Sequence, residues 1–194
     1  MCRGHKITVI NNNYLLLLFM PITTNQLFFY CCVENKIDDL LILLKTHNVD
    51  IHYKNEDAFI SACRNGHYEV VRILTTIYKK DRRYNYININ ACNEAAFKYA
   101  CAYGHIKIIR YITSLYRIDS NYDKINIHAG DECGFKNAIK YMNFGVLSYI
   151  LKLYRKPGYK PLNIIYEKSD NMRINLYFAN LGQVASHIKF KCFI

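Results

Sequence analysis

The sequence predicts an all-α fold, a helical solenoid of helix-turn-helix repeats with degenerate terminal caps. Two observations carry this prediction. The stretch Asn90 to Ile112 (NACNEAAFKYACAYGHIKIIRYI) matches His52 to Leu74 before it and His128 to Ile150 after it, at one constant offset and without gaps. Within each copy, two apolar stretches at helical spacing are separated by a turn. The matching columns are Glu56, Glu94 and Glu132; Phe59, Phe97 and Phe135; and Ala62, Ala100 and Ala138. Gly66-His67 recurs as Gly104-His105, and the doublets Val70-Val71, Ile108-Ile109 and Val146-Leu147 align. A fourth copy is placed ahead of the first at a shorter offset. It sets Phe29, Cys32, Asn35 and Leu40-Leu41 in the columns of Phe59, Ala62, Asn65 and Val70-Val71.

The elements follow in order. The spacing of Ala58, Phe59, Ala62 and Cys63 predicts a first helix from Asp57 to Asn65, with one buried face. Gly66 ends it, because glycine takes the left-handed conformation of a helix C-terminus without a Cβ penalty. A second helix starts near Tyr68, and its Val70, Val71, Ile73, Leu74, Ile77 and Tyr78 form a broad apolar stripe. One such hairpin leaves apolar faces open, and stacking of copies covers them. Inserts fall within Thr75 to Ile87 and Thr113 to Ile125, where a longer outer helix is expected. These features divide the chain into a degenerate N-terminal segment (1–24), about four repeats with a period of 30 and then 38 (25–168), and a degenerate C-terminal cap (169–194). Leu176, Phe178, Leu181 and Val184 are candidates for an amphipathic element in that cap.

Composition narrows the function classes. Of 194 residues, 52% are apolar and 21% charged, which is enough apolar surface for a packed core and excludes bulk disorder. The net charge is +11, and it sits entirely after Thr76: Met1 to Thr76 holds 7 basic and 7 acidic residues, Ile77 to Ile194 holds 19 and 8. An excess of this size points to an anionic partner. Eight cysteines without a C-x-x-C pair, and 20 asparagines with none in a glycosylation sequon, fit an intracellular setting with reduced thiols. The apolar run Tyr14 to Ile22 is far shorter than the ~20 residues of a membrane span. There is no dinucleotide, phosphate-loop, nucleophile-elbow or zincin motif, so no catalytic residue, metal or cofactor is expected.

The A-C-x-x-G-H run followed by a Val/Ile doublet (Ala62 to Val71, Ala100 to Ile109) resembles the ankyrin repeat. The triplets Asp50-Ile51-His52 and Asn88-Ile89-Asn90 resemble the finger that joins ankyrin units, and the likeness covers roughly residues 27 to 150. The ankyrin T-P-L-H tetrapeptide is absent, and the finger lies closer to the Gly-His turn than is usual. That compact form, together with an alphabet of 25 Ile, 20 Asn and 18 Tyr, is similar to the ankyrin repeats of giant DNA viruses of amoebae (Mimivirus-like). The resemblance implies a non-enzymatic, monomeric protein-interaction scaffold in the host cytoplasm. It also implies a partner-binding concave face of finger tips and inner helices. On this chain that face comprises Tyr53, Lys54, Asn55, Ile60 and Arg64, then Asn93, Lys98 and Ala102, then Asp131, Lys136 and Lys140.

Two sharper patterns compete with this reading. Cys63 with His67, and Cys101 with His105, have the i, i+4 separation of metal ligands on an unbroken helix. Gly66 and Gly104 interrupt that helix, so the histidines are expected to bond backbone of a neighbouring unit instead. The second pattern is a ladder of tyrosine-base pairs, Tyr78-Lys79, Tyr116-Arg117 and Tyr154-Arg155, with Arg82, Arg83 and Tyr84 beside it. Bases and aromatics alternating along an edge suit single-stranded nucleic acid if the rings are exposed. The alternative is that each tyrosine continues an outer helix's apolar face, while the bases serve the helix dipole.

Overall fold

The computed structural model describes residues 22–156 and two short strands, β1 (Ile165–Glu167) and β2 (Lys189–Lys191). Four helix pairs follow one another. They are α1 (Thr24–Val33) with α2 (Ile37–Thr46), α3 (Tyr53–Asn65) with α4 (Tyr68–Lys80), α5 (Ala91–Tyr103) with α6 (Ile106–Ile112) and α7 (Leu115–Ile118), and α8 (Ala129–Lys140) with α9 (Phe144–Tyr154). The inner helices α1, α3, α5 and α8 pack side by side in chain order, and each also packs on its own outer helix. The repeat stack is therefore all-α, as its periodicity requires. β1 pairs with β2 in parallel, Ile165 opposite Lys189. Among the described residues the last helix ends at Tyr154, and 165–167 is extended. The candidate cap residues Leu176 to Val184 and most of the N-terminal segment lie outside the described residues.

The core is one column of side chains per repeat position. Phe28, Phe59, Phe97 and Phe135 are fully buried one above another in sequence register, with Ala62, Ala100 and Ala138 beneath them. Val70, Val71 and Leu74 of α4 are buried as the stripe predicts, while Ile73, Ile77 and Tyr78 are half-buried against the cluster. The first copy corrects the sequence alignment by one position. Phe28, not Phe29, is the buried ring, and Leu40 is buried while Leu41 is 46% exposed. Asn35 takes the left-handed turn position that Gly66 holds in the next unit. The first interval, from Phe28 to Phe59, is thus one position longer than the alignment of letters gives. Side-chain burial and turn geometry outrank letter identity in a Phe-Phe, Cys-Cys and Leu-Leu sequence where either neighbour matches.

The inner helices begin with an unusual turn. In α3, Lys54, Asn55 and Glu56 have φ of 53, 57 and 69°, and regular helix starts only at Asp57, where the periodicity placed it. The same left-handed triplet recurs at Cys92, Asn93 and Glu94 and at Gly130, Asp131 and Glu132. Non-glycine residues there carry about 1–2 kcal/mol of strain each, so a compensating interaction must hold the turn. Glu56, Glu94 and Glu132, the third residue of each triplet, supply it, as shown below.

The inserts lengthen the outer helices unevenly. α4 has 13 residues against 10 in α2, the expected extension. In the third pair the expectation fails. The helix breaks after Ile112, where the Ser114 amide and hydroxyl both donate to Tyr111 O at 3.0 and 2.8 Å and close a tight turn before α7.

Gly66 and Gly104 end their helices at φ of 81 and 80°. A Cβ on Gly66 would lie 2.6 Å from the His105 ring, and one on Gly104 2.8 Å from Asn143 Oδ1. Gly66→Ala is therefore expected to cost about 2–3 kcal/mol, from left-handed strain and the displaced histidine bond. Gly145→Ala, in helix α9 with nothing within 4 Å of its Cβ, should instead gain up to about 1 kcal/mol. Chemical denaturation of both variants checks the pair; equal effects would contradict the close approach.

Candidate partner-binding face

Each finger is held by a buried carboxylate. Glu56 Oε1 accepts from His52 Nδ1 at 2.7 Å and from the backbone N–H of Asn88, in the next finger, at 3.0 Å. Glu94 Oε1 accepts from Asn90 Nδ2 at 2.8 Å and from the Asn126 N–H at 3.0 Å. Glu132 accepts from His128 Nδ1 at 2.6 Å and, on its other oxygen, from the Tyr154 hydroxyl. In the first unit Asn25 Oδ1 takes the same place and accepts the Asp50 N–H at 3.0 Å, which independently sets the longer first interval. These glutamate bonds hold the left-handed turns that begin the inner helices. Burial raises the Glu94 carboxyl above its ordinary range, against the lowering pull of Asn90, Asn126 and Lys98.

At the opposite end of the inner helices, the turn side chains link units as expected. His67 Nε2 lies 2.8 Å from Val33 O, His105 Nε2 lies 2.8 Å from Arg64 O, and Asn143 Nδ2 donates to Ala102 O at 2.7 Å. The Cys-His pairs do not form a site. Cys63 and Cys101 are fully buried, and desolvation pushes both thiols well above the range in which a thiolate is available. Among the described residues, no cluster of three or more His, Cys, Asp or Glu is arranged to hold a metal ion.

The tyrosine-base edge is occupied by the fold itself. Tyr78 donates to Asp119, and Lys79 pairs with the same carboxylate at 2.5 Å. Burial alone would raise the Asp119 carboxyl; hydrogen bonds from Lys79, Tyr78 and Asn121 outweigh it and hold it down at about 2. Tyr154 is buried against Phe135 and Glu132. Tyr116 is half-buried, with Arg117 and Lys124 5.3 and 5.8 Å from its ring centre. Tyr84 is buried and donates to Leu44 O, while Arg83 donates to Leu44 O and His47 O and so caps α2. Arg82 and Arg155 are exposed. Few rings are left to stack on bases, so this edge reads as a set of joints between units.

The expected concave-face residues divide. Lys54, Asn55, Arg64, Asn93, Asp131, Lys136 and Lys140 are exposed, and Tyr53 and Lys98 half-buried. Ile60 and Ala102 are each only 8% exposed and offer a partner little surface, a correction to the predicted face. Tyr99 and Tyr103 of α5 and Tyr141 just after α8 are 41, 53 and 53% exposed. Tyr99 shares the variable ridge column of Ser61 and Asn137, whereas sequence reasoning missed Tyr103 and Tyr141. Their signal was present, since Tyr103 and Tyr141 share one repeat column, but an aromatic in a helix reads first as core.

A family model described as Ankyrin repeats (3 copies) matches residues 27–124, half of the chain. No curated protein and no solved structure matches the sequence. With inner and outer helices, left-handed glycine turns and joining fingers in repeated register over that span, the chain belongs to the ankyrin repeat family.

Proposed function

We propose that this chain is a non-enzymatic protein-interaction scaffold that binds an acidic protein partner on the face of its finger tips and inner helices. The observation that carries this reading is the charge on that face. Lys54, Arg64, Lys98, Lys136 and Lys140 line it; of the exposed finger carboxylates, Asp131 is paired with Lys136 and Asp50 accepts the His52 N–H. The buried Glu56, Glu94 and Glu132 point into the joints and present no acidic surface. Exposed side chains carried by a rigid stack suit recognition by surface complementarity. The Asn-, Ile- and Tyr-rich alphabet and the short finger-to-turn spacing support a giant-virus source, with the chain acting as a monomer in the cytoplasm of the infected cell.

Reversing Lys98, Lys136 and Lys140 together to Glu is expected to abolish capture of the acidic partner while far-UV circular dichroism stays helical. Weakening should exceed about tenfold and the wild-type interaction should fade as salt rises. Undiminished capture by the triple variant would remove this face.

A further inference from the structure

One exposed cluster lies beside the joint that His105 makes with the Arg64 backbone. Arg64, at the end of α3, has its guanidinium carbon 5.4 Å from the Tyr99 ring centre and 5.5 Å from that of Tyr103. Its Nη2 donates to the Tyr103 hydroxyl at 3.3 Å, and its backbone oxygen faces His105 Nε2 at 2.8 Å. Tyr103 stacks with His105 on one side (6.4 Å, 16°) and with Tyr141 on the other (6.5 Å, 11°). Lys140 lies 5.4 Å from the Tyr141 ring centre. The cluster crosses three consecutive repeats, and every ring in it is at least 41% exposed apart from the turn histidine, which is half-buried.

An arginine stacked on aromatic faces keeps the edge of its planar fork open, and that edge matches a carboxylate in bidentate geometry. Arg64 loses less side-chain freedom on binding, because two rings and the Tyr103 hydroxyl already hold its guanidinium. No carboxylate among the described residues pairs with Arg64 or Lys140. The near-parallel Tyr103 and Tyr141 rings offer flat apolar surface with hydroxyl donors beside these two cations. Exposed Tyr and Arg are the residue types that most often anchor protein interfaces.

We infer that Arg64, Tyr99, Tyr103 and Tyr141 form a carboxylate-anchoring rail that takes an extended acidic segment of the partner protein, one Asp or Glu docking on the Arg64 fork and an adjacent aromatic or proline packing on Tyr103 and Tyr141. This rests on the proposed acidic partner and assigns the residues that select it. Lys98, Lys136 and Lys140 supply the surrounding field, whereas the rail supplies geometry. Replacing Arg64 by Lys therefore keeps the charge and removes the recognition.

The test is a selection of displayed random dodecapeptides on the intact chain, followed by anisotropy titration of the enriched peptides against variants. Enriched peptides are expected to carry Asp or Glu next to Phe, Tyr, Trp or Pro. Arg64→Lys and Tyr103→Ala should each weaken them on the order of tenfold or more, with unchanged melting, and Arg82→Ala should not weaken them. If binding falls in the Lys98, Lys136 and Lys140 triple variant but survives Arg64→Lys, the rail is wrong and the acidic-partner reading stands. Peptides indifferent to both, neutral or basic peptides, or no enrichment at all overturn both. Salt-sensitive binding of oligo-dT lost in Tyr103→Ala, without peptide binding, would reassign the rail to nucleic acid.

Discussion

Phe97→Ala is expected to lower stability by about 3–5 kcal/mol. The ring is 1% exposed at the centre of the stack. It lies so near helix α8 that a Cβ on Gly134 would stand 2.6 Å from its Cε1. Removing it opens a cavity between α5 and α8 that neither helix can close without giving up its own buried contacts. Single domains are stable by only about 5–15 kcal/mol, so the variant should melt roughly 10 °C lower or fail to fold at physiological temperature. Phe97→Leu refills most of the volume and should cost well under half as much. Urea denaturation followed by circular dichroism measures both; a loss below about 1 kcal/mol for the alanine would contradict the packing described.

Glu94→Ala should cost about 2–3 kcal/mol, although it removes a buried charge. Without the carboxylate the Asn126 N–H loses its acceptor in a closed setting, and an orphaned donor is costly. The left-handed turn at Cys92, Asn93 and position 94 also loses what holds it. Glu94→Gln keeps an acceptor oxygen for Asn126 and should cost about 1 kcal/mol or less. The pH dependence separates the two effects. Because the folded carboxyl is raised, its charged form opposes folding at neutral pH, and that opposition is relieved as pH falls through the folded value toward the unfolded one. Wild type should therefore gain on Glu94→Gln between neutral pH and about pH 4. A stability difference constant over that range would mean that the carboxyl is not raised.

The fold was legible because a stack repeats its errors as well as its rules. Gly66 and Gly104, the buried Phe and Ala columns and the apolar stripe of α4 each announce one helix pair, and register multiplies the signal. The first interval was misread for a physical reason: doublets such as Phe28-Phe29 and Leu40-Leu41 satisfy either alignment, and only burial chooses between them. The break after Ile112 was unreadable because Thr113 and Ser114 resemble Thr75 and Thr76, which sit inside an unbroken helix. On the candidate face the cations were visible as charge. Ile60 and Ala102 fall on it by column although packing covers them, and Tyr103 and Tyr141 escape notice because exposure of an aromatic depends on its neighbours across the joint.

The fingers have a mechanical consequence. Each joint is tied at one end by an amide N–H reaching back to a Glu or Asn, and at the other by His67, His105 or Asn143. Pulled from its two ends, such a stack behaves as springs in series, every joint bearing the same tension with only its own bonds to resist. The joint between the first two units is tied at Asn25 by a neutral amide where the others have a carboxylate, and charge-assisted bonds are about twice as strong. The same joint is also held by Arg83 and Tyr84, which bond Leu44 O and His47 O of the first unit, so under load its finger should open before its outer edge does.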